Sequence, residues 1–364
     1  MISLIVEELP SGRILATGIP IVSPSPKFEL NKAWSLDVTV PAAALASGLA
    51  LDVLREWGCA CWVDNGTQIV AGGILLQAPT ITSEGDLRLE CGGFLSYPVG
   101  QAWDAPRYDG IHVPVHQAVR MIWEHLIERS SLPVTVTIPT TTVTVGKPEE
   151  HKEFTTSTGE DVSFDAGPWR LNQWQTHDLG KTLDDLRVEA VWEVRETHRL
   201  NQDTGRVDHT VEYSQGFGAR RHDIVLQVGL NVHPMPELEG GLPYATHVFC
   251  VGAGEGERTV VSPTLSRESV GLRRCVAVSD KGADSAKKAT QTARSELALR
   301  RGGTRVKTFI MRETPGIPLS LISVGDWVQI SGVTEWGAFS QWGRITSCDR
   351  VLESDSAVIE VEKE

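Results

Sequence analysis

Short runs of alternating apolar and polar residues, each stopped by a turn former, recur at both ends of the chain and restrict it to small β architectures. Trp34-Ser35-Leu36-Asp37-Val38-Thr39-Val40 is one such run, and Pro41 ends it. Cys61-Trp62-Val63, the turn Asp64-Asn65-Gly66 and the stretch Gln68 to Leu75 predict a hairpin, and Leu87-Arg88-Leu89-Glu90-Cys91 alternates again. Between these, Ala42 to Trp57 is rich in Ala and Leu but interrupted by Gly48, which predicts a short helix and a turn. At the other end, Val306 to Arg312, Trp327 to Ser331, Trp342 to Cys348 and Ala357 to Val361 predict strands joined by Gly- and Pro-containing loops. The expected fold class is mainly β with α+β insertions, multidomain, with β-barrel-like domains at both ends.

The period changes after Pro114. Val115, Val119, Ile122, Trp123, Leu126 and Ile127 fall on one helical face before Pro133, and Val134 to Ile138 reads as a strand. Lys147 to Phe164 is polar and acidic, which predicts a long exposed loop or arm. Thr182-Leu183-Asp184-Asp185 resembles a capping box that opens an amphipathic helix through Leu183, Leu186, Ala190, Val191 and Val194. Strands follow in Arg206 to Tyr213 and Ile224 to Val228, and the Pro- and Gly-rich piece His233 to Pro243 reads as a connection. Ala245 to Gly252 predicts a buried strand, Ala253 to Glu257 a turn, and Arg258 to Val261 a returning strand. Asp284 to Arg301 predicts a helix with Ala286, Ala289, Ala293 and Leu297 on a small-residue face, closed by Gly302-Gly303. The expected domains are 1–110, a β-barrel-like domain; 111–240, α+β with the exposed acidic loop; 241–283, a β connection; and 284–364, a helix followed by a second β-barrel-like domain.

Bulk properties narrow the function. A chain of 364 residues with 41% hydrophobic and 22% charged residues can build several buried cores, so disorder, collagen and coiled coil are poor descriptions. No apolar run approaches the roughly 18–20 residues that span a bilayer, and the first residues lack the pattern of a signal peptide, so synthesis in a cytoplasm is expected. A formal charge of −13 opposes a phosphate-gripping nucleic-acid binder, yet it suits a surface that nucleic acid must pass without sticking. The six cysteines are scattered, which predicts reduced, buried thiols.

Candidate chemistry is weak throughout. Cys59 and Cys61 would point to one face of a strand, but no second ligand pair stands at finger-like spacing. His112 and His116 are four apart, yet Pro114 between them opposes helical geometry and no Glu completes a zincin motif. Gly252-Ala253-Gly254-Glu255-Gly256-Glu257-Arg258 lacks the Lys-Ser/Thr ending of a phosphate loop and reads as a turn, with Glu255 and Glu257 too few for a calcium site. Trp57, Trp62, Trp103 and Trp123 could stack sugars, although aromatic residues on β scaffolds more often fill cores or interfaces. Glu149-Glu150 and Asp184-Asp185 are explained by solvation and helix-dipole complementation, and no Gly-x-Ser-x-Gly elbow occurs. No catalytic, cofactor-binding or metal-binding residues are expected, and no enzyme activity.

Gly12-Arg13-Ile14-Leu15, the run Trp34 to Val40, Gly72-Gly73-Ile74-Leu75 and Cys91-Gly92-Gly93-Phe94-Leu95-Ser96-Tyr97 resemble, in that order, the opening domain of siphophage minor tail proteins. Gly218 to Ile224, Gly229 to Val232 and His247 to Arg258 are similar to the middle of actinobacterial-phage tail hubs, and Val324-Gly325-Asp326-Trp327-Val328 continues the likeness in the last domain. The individual motifs are loose, and their collinearity over nearly the whole chain carries the resemblance. It implies a phage tail-hub-like architecture: a trimeric baseplate hub at the virion tail tip whose first and last domains are tube-like and alternate around a ring, so that three chains present six similar units. Implied partners are the distal tail protein, tail tube protein, tape-measure protein and central fibre or tip proteins, with DNA passing through the lumen during ejection. With the chain ending at Glu364, the resemblance implies that any lytic or receptor-binding activity is to be expected from other proteins. The exposed segments Lys147 to Phe164 and the turn near Glu255 are expected interface elements. A cell-surface carbohydrate-binding module is the alternative reading, followed by a cell-wall hydrolase.

Overall fold

The computed structural model describes the chain apart from residues 1, 47–50, 156–160, 234–235, 241–243, 255, 269–271, 301–303, 335–336, 353 and 364. It divides into two compact units: Met1–Glu149, Gly167–Met235 and Phe309–Glu364 form the first, and Glu150–Ala166 with Pro236–Thr308 the second. The architecture is mainly β, as the alternating runs predict.

The first unit begins with β1 (Ser3–Glu8), β2 (Arg13–Pro20), β3 (Val22–Glu29), β4 (Ser35–Val40), β5 (Cys59–Asp64), β6 (Ile69–Leu75) and β7 (Leu87–Gly92). They lie in the order β3-β4-β7-β6-β5-β1-β2, all neighbours antiparallel. The expected hairpin is β5–β6. Leu4, Val6, Cys59, Cys61 and Val63 face one core with Val38, Leu75 and Leu89, while Ile5, Ala60 and Trp62 face another. Both faces of β1 and β5 are thus covered, which explains why Cys59 to Val63 is apolar without a break. Gly72, at φ 145°, lies so close to the Cys61 carbonyl and the Trp62 ring that a Cβ has no room. Ala42 to Trp57 yields a short helix at Ala42–Ala46 and a 3-10 turn at Leu51–Val53, and Gly48 lies outside the described residues.

The second core belongs to an α+β portion. Helix α1 (Val115–Ser130) buries Val115, Ala118, Val119, Ile122, Trp123 and Leu126, the face its periodicity predicts. Strand β8 (Val134–Thr137) follows, then α2 (Leu179–Glu189), β9 (Glu193–Asn201) and β10 (Arg206–Ser214). β10 is central, parallel to β8 and antiparallel to β9. Two expectations change here. Helix α2 starts one turn earlier than the capping box suggested, because the Asp178 carboxylate accepts the Lys181 N–H at 3.0 Å and serves as N-cap. It also ends sooner: Val191 is left-handed at φ 54°, and Val194 belongs to β9. The acidic loop Lys147 to Phe164 is instead a hairpin of Glu150–Thr155 on Asp161–Ala166, in the second unit, with 156–160 outside the described residues.

Strand β11 (Arg220–Gln227) completes this stretch of the first unit. The second unit holds β12 (His247–Val251), β13 (Cys275–Ser279) and α3 (Ala286–Leu299), where Ala289 and Ala293 sit fully buried on Val248 and Cys250. The small-residue face is therefore a close helix-to-sheet contact. Arg258 to Val261 does not return as a strand. Gly256–Arg258 makes a 3-10 turn, Val261 forms a single bridge to Val251, and the antiparallel neighbour of β12 is Leu265–Ser266.

The C-terminal strands β14 (Trp327–Thr334), β15 (Gly337–Arg350) and β16 (Ser356–Lys363) return to the first unit. β15 is long enough to change neighbours: residues 337–344 pair with β14, and Ser347, Cys348 and Asp349 pair with Glu29, Phe28 and Lys27 of β3. β16 lines the opposite edge of β15, and β11 runs parallel to β14. The strands from the two ends of the sequence thus form one sheet.

Candidate functional site at the junctions of the first unit

Two junctions organise the first unit, one open and one sealed. At the open junction, the β3–β15 seam is pinned from the side by Glu193, which opens β9. Its carboxylate takes both terminal nitrogens of Arg344 from β15, the Nη2 contact being 2.7 Å, and it accepts the Phe217 N–H at 2.7 Å. Arg344 also donates to the carbonyls of Phe217 at 2.9 Å and Gly325 at 3.1 Å. This pairing holds the Arg344 guanidinium above its ordinary pKa. Next to it, Asp326 accepts the Ala219 N–H at 2.9 Å. Side-chain exposure of Arg344 and Glu193 is 16% and 14%, so the fork is shielded enough to count in the energetics.

The sealed junction lies where β9 and β10 cover β1 and β5. Glu7, Glu196, His198 and His209 are all nearly inaccessible, a rare placement for such residues unless they pair. They do. Glu7 Oε2 accepts Trp62 Nε1–H at 2.7 Å, and His209 Nε2 lies 3.2 Å from Glu7 Oε1. His198 Nδ1 lies 3.0 Å from His209 Nδ1, across directly paired positions of β9 and β10. Glu196 accepts the Trp34 N–H at 2.6 Å and the Leu95 N–H at 3.0 Å. Gly93 makes this last contact possible, since a Cβ there would overlap the Glu196 carboxylate. Trp62 and Phe94 stack on the His209 ring, with centroids 5.1 and 4.3 Å away.

The sequence candidates are dispersed. Cys59, Cys61 and Cys91 are buried thiols, and hydrogen bonding from the neighbouring thiol, followed by burial, raises the pKa of Cys59 and Cys61. His112 precedes α1 at φ 53°, and His116 Nδ1, within α1, accepts the Thr141 N–H at 3.4 Å. Among the described residues no three His, Cys, Asp or Glu side chains gather as metal ligands. Trp62, Trp103 and Trp123 are core residues, and of the four tryptophans singled out as sugar platforms Trp57 alone is exposed. Glu149 pairs with Arg170 at 2.6 Å and Asp184 with Arg187 at 2.7 Å. Glu255 lies outside the described residues. No helix among the described residues is long and apolar enough to cross a membrane.

The sequence reading missed the buried network. Its signal was present but ambiguous: Val194, Glu196 and His198 alternate on one face of β9, and Val207, His209, Val211 and Tyr213 on one face of β10.

No protein-family model and no curated protein matches the chain. Solved structures do. The 43 kDa tail protein of prophage MuSo2 from Shewanella oneidensis superposes with a TM-score of 0.58 at 13% identity, covering 99% of this chain and 98% of that one. A tail protein from Neisseria meningitidis MC58 gives 0.55 at 13%, covering 100% and 96%, and prophage tail protein gp18 from Listeria monocytogenes EGD-e gives 0.55 at 12%, covering 100% and 95%. The chain therefore has the fold of these tail proteins over its whole length. At such identities the likeness is one of fold.

Proposed function

We propose that the chain is a structural protein of a phage tail, the trimeric hub of the tail tip or baseplate, in a siphophage of an actinobacterial host. The observation that carries this reading is the β3–β15 seam, which sets strands from both ends of one chain side by side in a single sheet. One protomer then offers two neighbouring β regions, and three protomers offer six, which suits a threefold tip joined to a sixfold tube. Cyclic closure requires each region to present a heterologous surface to the next. The proposal assigns 1–110 and 284–364 to these two regions.

In this role the protein meets the tail tube and distal tail proteins on one side and central fibre or tip proteins on the other. The tape-measure protein and later DNA occupy the lumen. The charge of −13 lines that lumen in part and lets DNA slide by repulsion. The role is one of joining and conducting, without catalysis. The whole-chain fold likeness to tail proteins supports it.

Mass photometry and negative-stain microscopy test the proposal. The expected result is a particle of about 119 kDa, three times the 39.7 kDa chain, that forms threefold rings alone or with the distal tail protein. A chain that stays monomeric in both conditions would falsify it. Binding on a glycan array would favour the carbohydrate-binding alternative.

A further inference from the structure

The sealed junction has a property that follows from counting protons. Each carboxylate accepts two hydrogen bonds, Glu7 from Trp62 and His209, Glu196 from the Trp34 and Leu95 backbone. With Glu7 ionised, His209 carries its proton on Nε2, leaving Nδ1 bare. The Nδ1···Nδ1 contact at 3.0 Å then needs the proton on His198 Nδ1. His198 Nε2 is consequently bare, and it is the one ring nitrogen of the pair with no hydrogen-bond partner. It faces Glu196 Oε2 at 3.6 Å, too far for a hydrogen bond.

Adding protons to this closed arrangement is costly. If both rings became imidazolium, both Nδ1 atoms would carry hydrogen across 3.0 Å, and the bond between them would become a donor–donor clash. The closed junction therefore excludes at least one proton. The first one fares little better. Glu196 Oε2, already engaged by the Leu95 N–H at 3.0 Å, stands 3.6 Å from His198 Nε2, and the His198 ring is packed against Trp62 at 4.5 Å and Trp34 at 5.0 Å. Burial accordingly holds the His198 pKa below its ordinary value, against the pull of Glu196. The charged groups facing the pair are Glu7 from β1 and Glu196 from β9, with Arg206 beside Gly12 at the Glu7 end. The Phe94–Ser96 turn contributes the Leu95 N–H and the Phe94 ring, and β5 contributes Trp62.

We propose that Glu7, His209, His198 and Glu196 form a proton-operated latch, closed while both imidazoles are neutral and released when the histidines take protons from solvent, freeing the β8–β10 sheet from β1 and β5. In the step, each ring nitrogen gains an N–H bond from a solvent hydronium ion and no other covalent bond changes. The four side chains have essentially no solvent access, so uptake requires the junction to open. A solvent-exposed imidazole takes up its proton near pH 6.5. The open state binds more protons, so the closed fraction is fully favoured above about pH 6.5 and falls as the pH drops through it. This device is independent of the hub proposal.

Hydrogen–deuterium exchange of the full-length protein between pH 7.0 and 5.5, corrected for intrinsic exchange, tests it. In the wild type, the local opening constant of peptides from β9, β10 and β1 should rise up to about tenfold per pH unit below 6.5 for each excluded proton. Peptides from α3 and β12 should show no such rise. His198→Asn keeps a donor towards His209 Nδ1 and removes the second titrating ring, so its opening constant should lose at least half of that logarithmic slope. Equal slopes in wild type and variant overturn the proposal. If the variant fails to fold, a wild-type acid response that is uniform along the chain, or confined outside the junction, overturns it equally.

Discussion

Replacing Arg344 with Met should weaken the first unit by an amount the local geometry sets. The guanidinium makes two contacts to Glu193 and one each to the Phe217 and Gly325 carbonyls, and Met keeps the side-chain bulk while removing all four. Glu193, 14% exposed, is left charged with the Phe217 N–H as its remaining partner at this site. Breaking a buried ion pair from one side costs about 3–5 kcal/mol, and residual exposure here places the value near 3. With a slope of about 2 kcal/mol per M, the urea midpoint should fall by about 1.5 M. Tryptophan fluorescence reports the transition, since Trp327 lies 6.0 Å from the guanidinium. The decisive comparison adds Glu193→Gln, which still accepts the Phe217 N–H but no longer leaves a charge behind. The double variant should be more stable than the two single losses summed, by at least about 1 kcal/mol. Additive losses, or an Arg344→Met midpoint within about 0.3 M of wild type, would refute the account of the fork as a shielded, coupled pair.

Two further outcomes follow from the buried parts. Gly93→Ala drives a methyl group into the Glu196 carboxylate and displaces it from the Trp34 and Leu95 N–H groups, at a cost of about 3 kcal/mol. Calorimetry should record a fall in Tm of roughly 6–12 °C, and an unchanged Tm would mean that Glu196 does not dock there. Of the six thiols, Cys275 is exposed and the others are buried, with desolvation pushing Cys348 up to about 11. A colorimetric thiol reagent at pH 8 should therefore titrate one rapid thiol in native protein and six in denaturant; two or more rapid native thiols would contradict the burial of the other five.

Much of the fold was legible because burial is one-sided. The strands β4, β5, β6, β7 and β14 to β16, and the helices α1 and α3, show the periodicity of elements that bury a single face or none but apolar residues. Legibility failed where a side-chain cap or backbone strain set the boundary. Thr182 looks like an N-cap, yet its hydroxyl bonds back to the Asp178 carbonyl at 3.0 Å from inside the helix. The junctions were less visible still. Glu7 and His209 are 202 residues apart, and Glu193 and Arg344 are 151 apart, so neither partner announces the other locally. His198 and His209 sit on the buried faces of alternating strands, where a polar residue looks like a lapse in the pattern. It is the reverse, because a buried polar group persists where partners satisfy it.

The seam between β3 and β15 also constrains how the molecule is made. Phe28 leaves the ribosome about 320 residues before its partner Cys348, a delay of roughly 15–65 s at about 5–20 residues per second. Throughout that time one edge of β3 is bare and able to pair with any passing strand. Pro24 and Pro26 lie in this strand, each removing a donor, and Lys27 follows them. These are the residues that make a waiting edge unattractive to strangers. β3 is thus built to stay single through synthesis and to accept β15 at three positions once it arrives.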